Sequence, residues 1–113
     1  MIKVNNKILI KNTKVLSSLN QGLGLMFYPR KKFNFGLIFE RPTESIVGSS
    51  IHMIFVFFPI NVLFLNSKKE IVDIKLNLKP FRLYVPKKRA KYIIEFPVET
   101  DLSNIKLKDN ISW

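Results

Sequence analysis

A chain of 113 residues that is 47% hydrophobic can bury one core, and it is too apolar to be a disordered segment. Cysteine is absent and His52 is the one histidine, which excludes disulfides, thiolate metal sites, cysteine nucleophiles and multi-histidine relays. Nineteen Lys and Arg against eight Asp and Glu leave a net charge of +11. Such a charge attracts polyanions over long range, although a bias toward Lys, Ile and Asn produces it without any function.

In chain order, Ile2, Val4, Ile8 and Ile10 alternate with Lys and Asn, predicting two half-wet strands joined at Asn5-Asn6. Ser17 to Met26 begins with cap-type residues and places Leu19, Leu23 and Met26 on one helical face. Gly22 and Gly24 limit it to a brief helix or turn. Arg30-Lys31-Lys32 follows Pro29 as a loop. Phe33, Phe35, Leu37 and Phe39 then alternate as a strand, and Arg41 to Ser45 reads as a polar loop.

Ile51 to Leu65 is the longest apolar run, broken by His52, Pro59 and Asn61. Its β-branched and aromatic content predicts two buried strands around a tight corner, with Phe55, Phe57, Val62 and Phe64 in the core. Asn66 to Glu70 is a hairpin turn into a strand from Ile71, on which Asp73 takes a wet face. Phe81 to Pro86 reads as an extended edge and Ala90 to Phe96 as another strand. Glu99 to Asn104 offers caps for a helical turn, and Ile105 to Trp113 can return as a last strand.

Seven or more short strands without an internal repeat predict a single domain, residues 1–113. Its fold class is mainly β, a small antiparallel barrel or barrel-like sandwich with one or two short helical turns. Ile8-Leu9-Ile10 is far too short for a signal-peptide core. The 51–65 run falls short of the ~20 apolar residues that span a bilayer. A cytoplasmic protein with no membrane partner is therefore expected.

Gly24-Leu25-Met26, Gly36-Leu37-Ile38-Phe39, Met53, Phe58-Pro59-Ile60-Asn61 and Val62-Leu63-Phe64-Leu65 stand in that order along the chain. Tyr92-Ile93-Ile94-Glu95-Phe96-Pro97 and Ile105 to Trp113 follow them. From about residue 15 onward this succession resembles the domain of unknown function 192 family. The chain departs from the family pattern with Ile54-Phe55-Val56 where many members carry Lys-Asn-Thr, and with Asn61 where they carry Asp. The resemblance implies a compact, mostly β, barrel-like domain and no established reaction.

Few residues offer chemistry. His52 has no carboxylate near it in sequence to orient it as a base, so it reads as a packed residue. Asn61 after Pro59-Ile60 suits either a corner that satisfies backbone groups or a polar contact in a barrel mouth. Glu95 reads first as a surface residue on a half-wet strand; on an inward face it would be a buried carboxylate needing a basic partner. Glu44, Glu70, Asp73 and Glu99 show no acid–base or metal-loop spacing, and the glycines form no phosphate loop.

No catalytic set, cofactor or metal is expected, and the function is unknown. The leading reading is a non-enzymatic binding or interaction module for a small ligand or a protein, with a pocket at Met53, Asn61 and Glu95. The alternative is a barrel that binds single-stranded nucleic acid. It would use Arg30, Lys31, Lys32, Lys87, Lys88, Arg89 and Lys91, with aromatic neighbours for base stacking.

Overall fold

The computed structural model describes residues 1–16, 25–53 and 55–113. The described residues are mainly β, with short 3-10 turns at Arg30–Lys32 and Val47–Ser49 and no α-helix. Ten strands form three sheets: β1 (Ile2–Val4), β2 (Lys7–Ile10), β3 (Thr13–Leu16), β4 (Gly36–Ser45), β5 (Ile51–His52), β6 (Ile60–Leu65), β7 (Ile71–Leu78), β8 (Leu83–Tyr84), β9 (Ala90–Pro97) and β10 (Ile111–Ser112). The central five-stranded sheet has the order β3-β4-β9-β6-β7, with β3 parallel to β4 and the other pairs antiparallel. The sheet β10-β1-β2 and the ribbon β5-β8 are the other two sheets among the described residues.

Two apolar clusters explain the layering. Ile60, Val62 and Phe64 of β6 join Leu37, Phe39 and Ile93 in one cluster, together with Met53, Val56 and Phe58. Leu63 and Leu65 join Ile38, Ile94 and Phe96 in the other, together with Ile2, Val4 and Ile111. Both faces of the central sheet are therefore covered, and β6 is buried at all six positions. A strand dry on both sides needs no polar alternation, which is why Ile60–Leu65 reads as a continuous apolar stretch. At Gly36 an added Cβ would collide with the Ile2 side chain. Glycine is what lets the N-terminal hairpin close onto β4 there.

The N-terminal hairpin forms as expected, with Asn5 and Asn6 both at positive φ in the turn. The turn at 66–70 is organised by the Asn66 side chain, whose Oδ1 accepts from the N–H groups of Lys68 and Glu70. The helical turn expected over residues 17–26 falls largely on residues 17–24, outside the described residues. Residues 99–104 form turns without a helical one.

Other expectations are corrected. Residues 41–45 are not a loop: β4 continues through Pro42 to Ser45. The pairing with β9 shifts between Glu40 and Ser45, so on that side the missing N–H of Pro42 costs no regular ladder bond. The 51–65 run does not make two long strands. β5 ends at His52 and β6 starts at Ile60, and the described residues between them cover the sheet with one dry and one wet side. Met53, Val56 and Phe58 face inward, whereas Phe55 is 43% and Phe57 59% exposed. Val62 and Phe64 are fully buried as expected.

Asp73 is not on a wet face but is 4% exposed. Its carboxylate accepts from the Tyr84 hydroxyl (2.7 Å) and the N–H groups of Lys87 (2.9 Å) and Ile74 (2.9 Å), which compensates its burial. Burial, and then this hydrogen bond, push the Tyr84 hydroxyl up to about 12.

Candidate functional site

A cavity of about 280 Å³ lies between the first apolar face of the central sheet and its cover. Phe39 of β4 and Ile93 of β9, paired across the strands, form its floor. Leu25, Met53 and Val56 supply apolar walls, and Ser50 and His52 bring polar groups. Its size lies just under the range of pockets that hold small molecules.

Two further polar side chains line it, and strand register fixes their placement. Glu95 pairs with Leu37 and Val62 on one face, two residues beyond Ile93, and Arg41 lies two residues beyond Phe39 in the opposite direction. Along the strands the two positions are about 13 Å apart, with the apolar floor between them.

Glu95 is 6% exposed, so the surface reading of this residue is overturned. Among the described residues no basic group pairs with it, and burial alone pushes its carboxyl up to about 8. At neutral pH it is mostly a neutral acid, able both to donate and to accept a hydrogen bond. The Nε of Arg41 is buried and has no hydrogen-bond partner among the described residues. One unsatisfied N–H of a permanent cation and one unpaired carboxyl thus stand at opposite ends of a single apolar chamber.

Of the three pocket residues read from the sequence, Met53 and Glu95 come together here, and Asn61 does not. Asn61 alternates with Ile60 and Val62, so it faces the other layer. Its Oδ1 accepts from the N–H of Asn77 (2.8 Å), a residue at positive φ where the β6–β7 register shifts. It holds a bulge. Arg41 was missed because its segment reads as a loop, and a lone arginine before Pro42 carries no further signal. His52 does line the cavity while remaining exposed.

The basic residues divide into two groups. Lys87, Lys88, Arg89 and Lys91 lie at the start of β9, and Lys91 is 3.7 Å from Glu40. Arg30, Lys31 and Lys32 lie beyond its other end, where Arg30 contacts Glu99 at 3.3 Å. The length of β9, about 23 Å, separates them, so they do not make one continuous strip. Among the described residues no cluster of His, Asp and Glu could hold a metal ion, and no helix is long and apolar enough to cross a membrane.

Comparison with known proteins places this architecture. The model of DUF192, described as Uncharacterized ACR, matches residues 4–113. A UPF0127 protein of Thermococcus sibiricus is 46% identical over 91 residues, covering 80% of this chain and 57% of the relative. Another, of Pyrococcus furiosus, is 44% identical over 92 residues, covering 80% and 76%. The chain thus spans little more than half the length of the first of these. A crystal structure of a protein of unknown function from Novosphingobium aromaticivorans matches with a TM-score of 0.75 at 20% identity, covering 89% of this chain and 74% of that one. One of a putative transcription regulator from Sinorhizobium meliloti matches with 0.77 at 17%, covering 88% and 79%. At such identities the two structures show a shared fold alone.

Proposed function

The chain belongs to the DUF192 family, and we propose that it is a non-catalytic domain that binds a small amphipathic molecule in the cavity between Arg41 and Glu95. The observation that carries this is that Arg41 Nε and the buried Glu95, both without a partner among the described residues, stand around one chamber with an apolar floor. Each group is costly to bury without a partner, and a ligand with polar ends and an apolar body would offset both costs. Its anionic end, a carboxylate or similar group, would take the guanidinium. Its other end, a hydrogen-bonding or amine group, would meet Glu95.

Among the described residues around the cavity no nucleophile is fixed by a base, so the proposal stops at binding. A cytoplasmic location belongs to the same proposal, and fractionation of cells making the full-length protein tests it.

The direct test is a thermal-shift screen of small carboxylates and amino acids, backed by native mass spectrometry of the purified protein. A ligand at a hundred times its Kd should stabilise by about 2.7 kcal/mol. Val56→Trp fills the chamber and should abolish the shift while the variant keeps its β-sheet circular dichroism. Unchanged binding in that variant would place the ligand elsewhere and end the proposal.

A further inference from the structure

Four phenylalanines that the core does not use stand together on the surface. Phe27, Phe55, Phe57 and Phe81 are 66%, 43%, 59% and 58% exposed. Phe27 and Phe55 stack at 4.8 Å, Phe57 lies 6.3 Å from Phe27, and Phe81 meets Phe57 edge to face at 5.6 Å. Three of the four, Phe27, Phe55 and Phe81, have φ between 57° and 60°, a region that a bulky side chain enters only under strain. The strain is held by backbone bonds from Phe27 N–H to the Phe55 carbonyl and from Phe81 N–H to the Met53 carbonyl, both 2.8 Å. A fold that spends strain to hold four rings in water is displaying them.

Beside the ridge, Lys75, Lys79 and Arg82 line a cleft of about 270 Å³ whose lining includes no carboxylate. Phe81 lies between Lys79 and Arg82 in the chain, and Arg30, Lys31 and Lys32 follow Phe27 closely at the other end of the ridge. Apolar rings edged by cations, of which Arg30 is paired with Glu99, match the boundary of an anionic bilayer, where rings enter the acyl region and cations meet headgroups.

We propose that the ridge of Phe27, Phe55, Phe57 and Phe81, with the Lys75, Lys79 and Arg82 cleft beside it, docks this domain on an anionic phospholipid surface. This departs from the expectation of no membrane partner, which rested on the lack of a signal-peptide core and of a bilayer-spanning run. A second copy of the chain fits less well, since a net charge of +11 on each would oppose association. Single-stranded nucleic acid also fits less well, because the rings spend their faces and edges on one another instead of presenting separate stacking platforms.

Co-sedimentation of the full chain with vesicles tests this, using phosphatidylcholine alone and phosphatidylcholine with an equal part of phosphatidylserine. The protein should pellet with the mixed vesicles, not with phosphatidylcholine alone, and added salt should weaken the binding. The double variant Phe57→Ser, Phe81→Ser should lower the partition coefficient at least about tenfold, since two half-inserted rings are removed. Lys79→Glu with Arg82→Glu should lower it and flatten its salt dependence. Because all four positions are exposed, near-UV circular dichroism should show both variants folded. Equal vesicle binding by the ring variant would overturn the proposal, leaving only diffuse charge adsorption. Ring-dependent binding to a single-stranded oligonucleotide without vesicle binding, or a dimer that the ring variant dissolves, would overturn it equally.

Discussion

Replacing Glu95 by glutamine keeps the shape of a buried side chain and removes its proton. Burial holds the carboxyl at about 8 in the folded state, against 4.5 for an ordinary glutamate. Below pH 4.5 the folded and unfolded chains both carry the proton, so the group exerts no pH-dependent effect. As pH rises from 4.5 to about 8 the unfolded chain has released it and the folded chain has not. Stability therefore falls over this window, by about 1.4 kcal/mol per pH unit. The total loss is about 5 kcal/mol by pH 8, of which about 3 kcal/mol is already gone at pH 7.

Glu95→Gln has no such loss. The carboxyls of Glu44, Glu99 and Asp101 are held low by hydrogen bonds chiefly involving Ser67, residue 99's own N–H with Arg30, and Ser103. They favour the fold at higher pH, but they do so equally in both proteins and cancel in the difference. Urea unfolding of wild type and variant at each pH from 4 to 9, followed by circular dichroism, measures that difference directly. The gap should grow in the variant's favour through the window and level off above it. Any fixed cost of burying the amide displaces the whole curve without changing its slope. A gap independent of pH would show that Glu95 is not a neutral acid inside the fold, and the cavity argument would lose its premise.

Two neighbouring phenylalanines give a sharp contrast in stability. Phe58→Ala, at 2% exposure, should cost about 3–5 kcal/mol, whereas Phe57→Ala, at 59%, should cost under about 1.5 kcal/mol. Thermal and urea melts separate these, and equal losses would place Phe57 in the core after all. Asp73→Ala should destabilise by about 2–4 kcal/mol, because it strands the Tyr84 hydroxyl and the Lys87 N–H beside a new void. In the Asp73→Ala background Tyr84→Phe should cost nothing further and recover the part of the loss due to the stranded hydroxyl, and a fully additive cycle would deny the network.

Two hairpin turns and the strand at 90–97 were legible because they rest on short-range chemistry. Asn5-Asn6 tolerates positive φ, Asn66 ties its own turn, and the 90–97 segment is apolar enough to be a strand in any context. Glu95 was misjudged for a physical reason. Alternation gave it a face shared with Ile93, but whether that face was wet depended on a cover built from Leu25, Met26, Tyr28, Met53, Val56 and Phe58. That cover is non-local and irregular, and no period in the sequence announces it. Pro42 misled in the same way, since a proline within β4 is tolerated where the regular pairing with β9 lapses between Glu40 and Ser45. Asp73 looked solvated for want of Tyr84 and Lys87, eleven and fourteen residues away.

The 51–65 run unites these failures and gives the site its logic. An unbroken apolar run is ambiguous between a strand dry on both faces and a cover with one dry face, since both consist of the same residue types. Residues 60–65 take the first form, and residues 53 and 56 close a chamber from above as part of the second. Phe55 and Phe57 then point away from that chamber, on the outer side of the same short cover whose inner side includes Met53 and Val56. Inner wall and outer ridge are thus one stretch of backbone. Whatever seats the ridge must also steady the wall of the cavity, so the two proposed surfaces cannot be mechanically independent. Vesicle binding should accordingly shift the affinity of a cavity ligand, and the ligand should shift vesicle partition by the same factor. Equal affinities with and without vesicles would show that the cover is rigid in both states.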